Sequence, residues 1–391
     1  MLPYGRQTKM AQKLIYWEKS MSKTLVIVLS ETRAHELTFE SFKKNVIDEL
    51  HADLCLCIGV KPDYDYTNPF YTLAKYKFLY DEPDDFGDAF DYAYTLLSAT
   101  KPKYECLKDT NALYDKLTCK QSTENITYYG EDPINLQNCD DDEIVVHGKD
   151  FPNEMWRNQV YGNKIRFDTT VNEKHVNTYR KALHWREFLK IKDQFMGGIK
   201  DPHHQHPGSA GILIFFRFFL LKNMVENDLI NKYDRFIITR SDFVYQLPHP
   251  KVTYMNENVV WIPNGEQYNG YTDRHAVLSK KNIEAYLNIL HHFVLKSNEY
   301  FIKMSKKNEW NLEQVIQFHL QQNNVHVRHF PYIMYSVRNI NGTTRWQSGQ
   351  FSHKFGYYIK YQSEYDLSSQ HKFAFQRSNK SIDAFYKELY R

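Results

Sequence analysis

The stretch Tyr233-Asp-Arg-Phe-Ile-Ile-Thr-Arg-Ser-Asp-Phe-Val-Tyr245 decides how this 391-residue chain is read. Phe236-Ile237-Ile238 is a short apolar run of the kind that forms a strand buried on both faces, as the parallel strands of α/β sheets are. The run stops at Thr239, Arg240, Ser241 and Asp242. A guanidinium and a carboxylate at the end of a buried strand cost desolvation energy unless they find partners. Two residues apart, Arg240 and Asp242 point to one face of an extended chain. Ligands of open α/β sheets sit outside the carboxyl ends of strands. A guanidinium suits a phosphate and a carboxylate suits a hard cation. The pair therefore reads in two ways: as a site for a metal-bound diphosphate, or as a strand-end salt bridge beside a turn.

Upstream, Thr24-Leu-Val-Ile-Val-Leu29 predicts another buried strand, broken by Ser30-Glu-Thr-Arg33. Glu36 to Leu50 has apolar residues near helical spacing, and Ala52 to Ile58 predicts a second strand that Gly59 and Pro62 end. This opening is a βαβ unit, right-handed by strong prior. It holds no G-x-G-x-x-G, and no G-x-x-x-x-G-K-[ST] occurs in the chain, which argues against a dinucleotide-binding Rossmann domain and a P-loop kinase. Helices are expected over Phe86–Leu97, Leu107–Leu117 and Val176–Phe195, with a short strand over Glu143–His147. Asp201-Pro-His-His-Gln-His-Pro-Gly208 reads as a loop rather than a structural metal site, since Pro flanks the histidines and no cysteine joins them. Ser209 is placed to cap a helix that runs to about Asn231 and feeds the anchor strand.

Downstream, Val259–Ile262 predicts a strand. The Gly- and Asn-rich loop Pro263–His275 follows, carrying Asp273, Arg274 and His275. Loops that hold polar residues between apolar elements concentrate binding groups, although a turn with a local ion pair has the same composition. Lys280–Leu295 predicts a helix. Trp310-Asn-Leu-Glu313 opens another, with Glu313 in its first turn. That carboxylate either complements the helix dipole or serves as a base at the mouth of a site. Val325–Arg328 and Tyr332–Arg338 predict strands, and Ile382–Tyr390 a final helix.

Composition is that of a globular protein, with 42% hydrophobic and 25% charged residues. Aromatic residues make up 16%, enough to line a sugar or base pocket as well as a core. A formal net charge of +3 with dispersed Lys and Arg does not suit a nucleic-acid binder. The five cysteines, Cys55, Cys57, Cys106, Cys119 and Cys139, form no zinc pattern and suit a reducing compartment. The start of the chain lacks the features of a signal peptide. The most apolar stretch, Ile212 to Leu221, is interrupted by Arg217 and too short to span a bilayer. A soluble, cytoplasmic protein with no transmembrane segment and no nucleic-acid partner is the expectation.

Four pieces together resemble nucleotide-sugar glycosyltransferases of the GT-A fold, especially cytoplasmic enzymes of bacterial or virus-encoded type. Leu25 to Arg33 looks like the first strand, with the polar end that receives the nucleotide. Tyr233 to Phe243 looks like the strand carrying the acidic metal motif, here Arg240-Ser241-Asp242. Asn269-Gly-Tyr-Thr-Asp-Arg-His-Ala276 is similar to the glycine-containing acceptor-side loop. Glu313 and the helix it opens look like the carboxylate-bearing helix that follows. The resemblance implies an α/β, mostly parallel central sheet flanked by helices. It implies an N-terminal extension over residues 1–22, a glycosyltransferase domain over 23–345, and a C-terminal extension over 346–391 packed on that domain. It implies transfer of a sugar from a nucleotide-diphosphate sugar to a glycan or glycoprotein hydroxyl. Glu313 or Asp273 would be the base, and Ser30, Arg33, Arg240, Asp242, Gly270 and Arg274 would contact the donor. Asp242 would hold a divalent cation, Mn2+ or Mg2+. The usual motif has two aspartates flanking one residue, and here Arg240 takes the first place; this departure weakens the expectation of a metal, since Arg240 could supply part of the positive charge itself. The alternative is a catalytically silent protein of the same fold that holds a sugar or nucleotide.

Overall fold

The computed structural model describes residues 23–99, 144–148, 185–191, 196–200, 208–306, 310–342 and 348–390. Its strands are β1 (Thr24–Ser30), β2 (Asp53–Val60), β3 (Tyr76–Asp81), β4 (Ile144–Gly148), β5 (Arg235–Thr239), β6 (Phe243–Tyr245), β7 (Val260–Pro263), β8 (Ala276–Ser279), β9 (Val327–Phe330), β10 (Met334–Arg338), β11 (Gln350–Ser352) and β12 (Tyr357–Ile359). The main sheet is mixed, in the order β4-β3-β2-β1-β5-β8-β7-β9. From β4 to β5 every pairing is parallel, while β8 runs antiparallel to both β5 and β7. The three segments expected to share a sheet do so, with Ile27 flanked by Cys55 and Ile238. A smaller antiparallel sheet, β11-β12-β10-β6, stands at the carboxyl end of β5.

Alternation in β1 divides the core. Leu25, Ile27 and Leu29 face one cluster, with the helices Phe86–Ala99 and Ala210–Glu226; Val26 and Val28 face another, with Phe42, Val46 and Tyr386. Both faces of β1 are thus covered, which is why its run is continuously apolar. Tyr386, on the C-terminal helix Ile382–Leu389, is 2% exposed and donates to the Pro248 carbonyl at 2.7 Å, so the end of the chain belongs to the same body.

Several local expectations shift for physical reasons. The helix expected to reach Asn231 breaks at Asp228, whose φ is 56°; Ala210–Glu226 and Leu229–Lys232 are separate helices. Ser209 stands at the N-cap but makes no capping bond. The Lys280–Leu295 segment divides at Asn288 into Ile283–Leu287 and Ile289–Leu295. The helix after β1, His35–Phe42, continues as a π-helical turn over Lys43–Asp48. β3 was hidden from its pattern by a charge: Lys77 is 4% exposed, with its ammonium 4.8 Å from the Tyr71 ring. The helix Gln362–Ser378 was hidden because its buried positions are Glu364 and Ser368, which carry no apolar period. Trp185–Lys190 forms a 3-10 helix within the expected Val176–Phe195 helix. Residues 176–184 and 192–195 of that segment, the Leu107–Leu117 helix and residues 201–207 lie outside the described residues. Among the described residues no helix is long and apolar enough to cross a membrane.

Candidate functional site

The anchor strand β5 ends at Thr239, and the pair read from the sequence forms immediately beyond it. Arg240 donates from Nε to Asp242 Oδ1 (3.0 Å) and from Nη2 to Oδ2 (2.9 Å). Arg338, at the end of β10, donates from Nη1 to the same Oδ2 and to its neighbouring Val337 carbonyl (2.7 Å). Burial works to raise the Asp242 pKa, yet Arg240, Arg338, Arg33 and Lys360 together hold it well below the usual carboxylate range. The strand-end salt bridge is therefore present, but as one edge of a larger cationic cluster.

The cluster follows from strand register. In the β10–β12 pair Val337 faces Ile359, and the Lys360 amide donates to the Ser336 carbonyl (2.9 Å). Ser336 and Arg338 then project on the same side as Lys360, with Arg338 and Lys360 diagonal neighbours. Lys360 is 8% exposed. Burial, then Arg240 and Arg338, push its ammonium pKa down to about 6, with Asp242 pulling the other way.

The loop after β1 is fastened to this cluster. The Ser241 hydroxyl donates to the carbonyls of Glu31 (2.9 Å) and Arg33 (3.2 Å). Ser30 has φ 77° and Ala34 φ 56°, left-handed conformations that non-glycine residues hold only when their surroundings impose them. Arg33 pairs with Glu31. Ser30, Arg33, Arg240 and Asp242 are thus gathered at the carboxyl ends of the adjacent strands β1 and β5.

A second cluster lies beside the first. Glu313 stands in the first turn of the helix Leu312–Gln322, capped by the Asn311 side chain. Burial, and then the negative charge of Asp273, push its carboxyl up to about 7, against the pull of Arg274 and Arg217. Asp273 also lies in the field of Arg240, which links the two clusters. Arg217, fully buried in the helix Ala210–Glu226, reaches across to donate to the Asp273 carbonyl (3.1 Å) and holds that turn of the loop.

Gly270 and Arg274 shape this region. The Tyr271 amide donates to the Glu313 carbonyl (2.9 Å), which brings the loop against the helix backbone; any Cβ on Gly270 would lie 2.1 Å from the Glu313 carbonyl carbon. Arg274 is committed to Glu364, with its guanidinium 4.4 Å from the Tyr361 ring. Glu364 is fully buried and also accepts from the Ser336 amide (2.8 Å) and the Tyr332 hydroxyl (3.2 Å). Glu266, Tyr268 and Asn269 all have positive φ, so the loop is strained where it faces Glu313.

Beneath Thr239 runs a closed relay. His249 donates from Nδ1 to the Pro250 carbonyl (2.7 Å), so its Nε2 accepts from His275 Nε2 (3.3 Å), and His275 Nδ1 accepts from the Thr239 hydroxyl (3.0 Å). Burial keeps both imidazoles neutral, with His249 lowered to about 4.

The donor set fits a divalent cation poorly. Magnesium and manganese need several oxygen ligands. Asp242 is a single carboxylate whose two oxygens already accept from guanidinium groups. Among the described residues no group of three or more His, Cys, Asp or Glu side chains gathers to hold a metal ion.

Four residues of the site escaped the sequence reading: Arg217, Arg338, Lys360 and Glu364. Two of them left a signal. Arg338 stands at the end of a strand as Arg240 stands just past one, and Arg217 interrupts the apolar run Ile212–Leu221. No protein-family model matches the chain, and no curated protein matches it with significant similarity.

Proposed function

We propose that the protein is a glycosyltransferase of GT-A type that moves a sugar from a nucleotide-diphosphate sugar to a hydroxyl of a glycan or glycoconjugate acceptor. One juxtaposition carries this reading: Arg33, Arg240, Arg338 and Lys360 cluster around Asp242 at the carboxyl ends of β1 and β5, beside the Glu313–Asp273 pair. The sheets support it: the adjacent parallel strands β1 and β5 deliver Arg33, Arg240 and Asp242 to one end of the main sheet, and the antiparallel pair β10 and β12 brings Arg338 and Lys360 to them.

The chemistry follows from the charges. In an inverting transfer the acceptor oxygen forms a bond to the anomeric carbon, while the bond from that carbon to the phosphate oxygen breaks. The bonding pair leaves with the diphosphate, where preorganised guanidinium and ammonium groups stabilise the developing charge. The acceptor proton passes to Glu313, whose raised pKa matches a base working near neutral pH. Arg217 fixes the Asp273 turn, leaving the Asp273 carboxylate to orient sugar hydroxyls. In a retaining transfer no base is required on that face, and the cationic cluster keeps its role.

The saturation of Asp242 by Arg240 and Arg338 favours a second reading, a binding protein that holds the donor without transferring it. Thermal stabilisation and turnover across a panel of nucleotide-sugars, with and without manganese, separate the two. A ligand that binds the folded state raises apparent stability by mass action. Donor consumption supports the enzyme; stabilisation without hydrolysis or transfer supports the binder.

A further inference from the structure

We infer that Arg338, Lys360 and Arg240 form a diphosphate-binding site that performs, without a divalent cation, the charge neutralisation the resemblance assigns to a metal. The inference rests on the glycosyltransferase reading for the identity of the diphosphate as a donor group. It rests on geometry for the site itself.

Arg338 is 2% exposed, and its Nε and Nη2 are buried without a hydrogen-bond partner among the described residues. A buried guanidinium left with unmade bonds costs free energy, so an anion that accepts from both nitrogens is the chemistry it lacks. Lys360, its diagonal neighbour across β10 and β12, donates no hydrogen bond from Nζ among the described residues. Arg240 adds the third cation and, with Arg33, forms the open side: their side chains keep 20% and 27% of their surface. Asp242 contacts both Arg240 and Arg338, and Glu31 pairs with Arg33, so the three guanidinium groups exceed these two carboxylates by one charge; Lys360, its ammonium pKa lowered to about 6, adds a further charge when an anion restores its proton. Arg235 also has buried nitrogens without partners, but at the amino end of β5 with Glu257 as its charged neighbour, so no cationic pocket forms there.

A magnesium or manganese ion at Asp242 would have to displace a guanidinium to reach a carboxylate oxygen. A diphosphate displaces no guanidinium, because the donor positions it takes make no hydrogen bond among the described residues. The cations then do at the leaving group what a Lewis acid does elsewhere.

The test is isothermal titration of the full chain with inorganic pyrophosphate, inorganic phosphate and a nucleoside diphosphate, in EDTA and in manganese. Pyrophosphate and the nucleoside diphosphate are expected to bind in EDTA, more tightly than phosphate, with affinities that manganese leaves unchanged. Loss of one charge-assisted contact in Lys360→Met is expected to weaken pyrophosphate by roughly tenfold to a hundredfold. Among the described residues the Lys360 ammonium makes no hydrogen bond and only lies over the Tyr361 ring at 4.9 Å, so this variant is expected to change the melting temperature little. Arg338→Lys retains the charge and the bond to Asp242 but loses the fork, and it is expected to weaken binding similarly. Binding that appears only with manganese, binding equal in wild type and both variants, or phosphate bound as tightly as pyrophosphate would overturn the site. Pyrophosphate binding in EDTA without turnover of any nucleotide-sugar would keep the site and remove the transferase reading. Manganese-dependent turnover would do the reverse.

Discussion

Gly270 lies so close to Glu313 that a methyl group on it would sit 2.1 Å from the Glu313 carbonyl carbon and 2.3 Å from the Gln314 nitrogen. The obstructing atoms are helix backbone, which cannot swing aside as a side chain does. Gly270→Ala is therefore expected to push the loop off the helix, break the Tyr271–Glu313 backbone bond, and shift the Asp273 turn away from Glu313. The expected outcome is a lower melting temperature and a larger proportional loss of transfer. Wild-type behaviour in both measurements would show that the loop adapts freely.

Glu313→Gln keeps the shape of the side chain and removes the base. If Glu313 takes the acceptor proton, the catalytic rate is expected to fall roughly a hundred- to ten-thousand-fold. Wild-type activity is expected to rise with pH through about 7, because burial and Asp273 hold the carboxyl protonated below that point. The stability sign is opposite. Its folded pKa lies above the unfolded value of 4.5, so its contribution is present below 4.5 and lost as pH rises through about 7. The Gln variant is therefore expected to melt no lower than wild type at pH 8. A variant that transfers at the wild-type rate removes Glu313 from the base role.

The central strands were legible because burial on both faces leaves a continuous apolar run, as in β1, β2 and β5. The Arg240–Asp242 pair was legible because it is local, two residues apart and abrupt. Arg338 was not, because its bond to Asp242 spans 96 residues and depends on β6 pairing with β10. Lys360 and Glu364 look like surface charges in a polar tail; only the strand register and the salt bridge to Arg274 reveal that they are buried. Propensity reads the scaffold of such a site, whereas partner identity is set by tertiary pairing.

Acid should destabilise the fold from near pH 6.5 downward. His249, His275, His291, His292 and His319 are all buried with lowered pKa values, burial being the largest cause in each; His249 and His319 fall to about 4 and His291 to about 3. The unfolded chain takes up protons at about pH 6.5. The stability these groups confer is thus present above that pH and lost as pH falls toward the folded values. Each contributes a slope of roughly 1.4 kcal/mol per pH unit once the unfolded imidazole is protonated. Glu313, Asp91, Glu284 and Glu49, whose carboxyl pKa values burial raises, oppose this, while Lys360, lowered to about 6, acts with the five imidazoles. Denaturant unfolding at pH 7, 6 and 5 should show a progressive fall in midpoint; a flat profile would show that the imidazoles do not remain neutral.

Removing the buried carboxylate partner of Arg274 should affect structure before chemistry. Glu364→Gln leaves the guanidinium buried beside Tyr361 with only the more distant Glu266 and Asp273 carboxylates, each at 3.8 Å, and weakens the bonds to Ser336. Breaking a buried pair from one side typically costs about 3–5 kcal/mol. A drop in melting temperature is expected, and an unchanged one would mean that solvent reaches the pair.

The most direct test of the glycosyltransferase reading is incubation of wild type and Asp242→Asn with a panel of nucleotide-diphosphate sugars, following donor consumption and melting temperature on the same samples. The account predicts that at least one donor stabilises the wild type and is consumed. It also predicts that Asp242→Asn, which loosens the arrangement of Arg240 and Arg338, loses most of that consumption while remaining folded. A folded wild type that neither binds nor consumes any nucleotide-diphosphate sugar, with and without manganese, would contradict it.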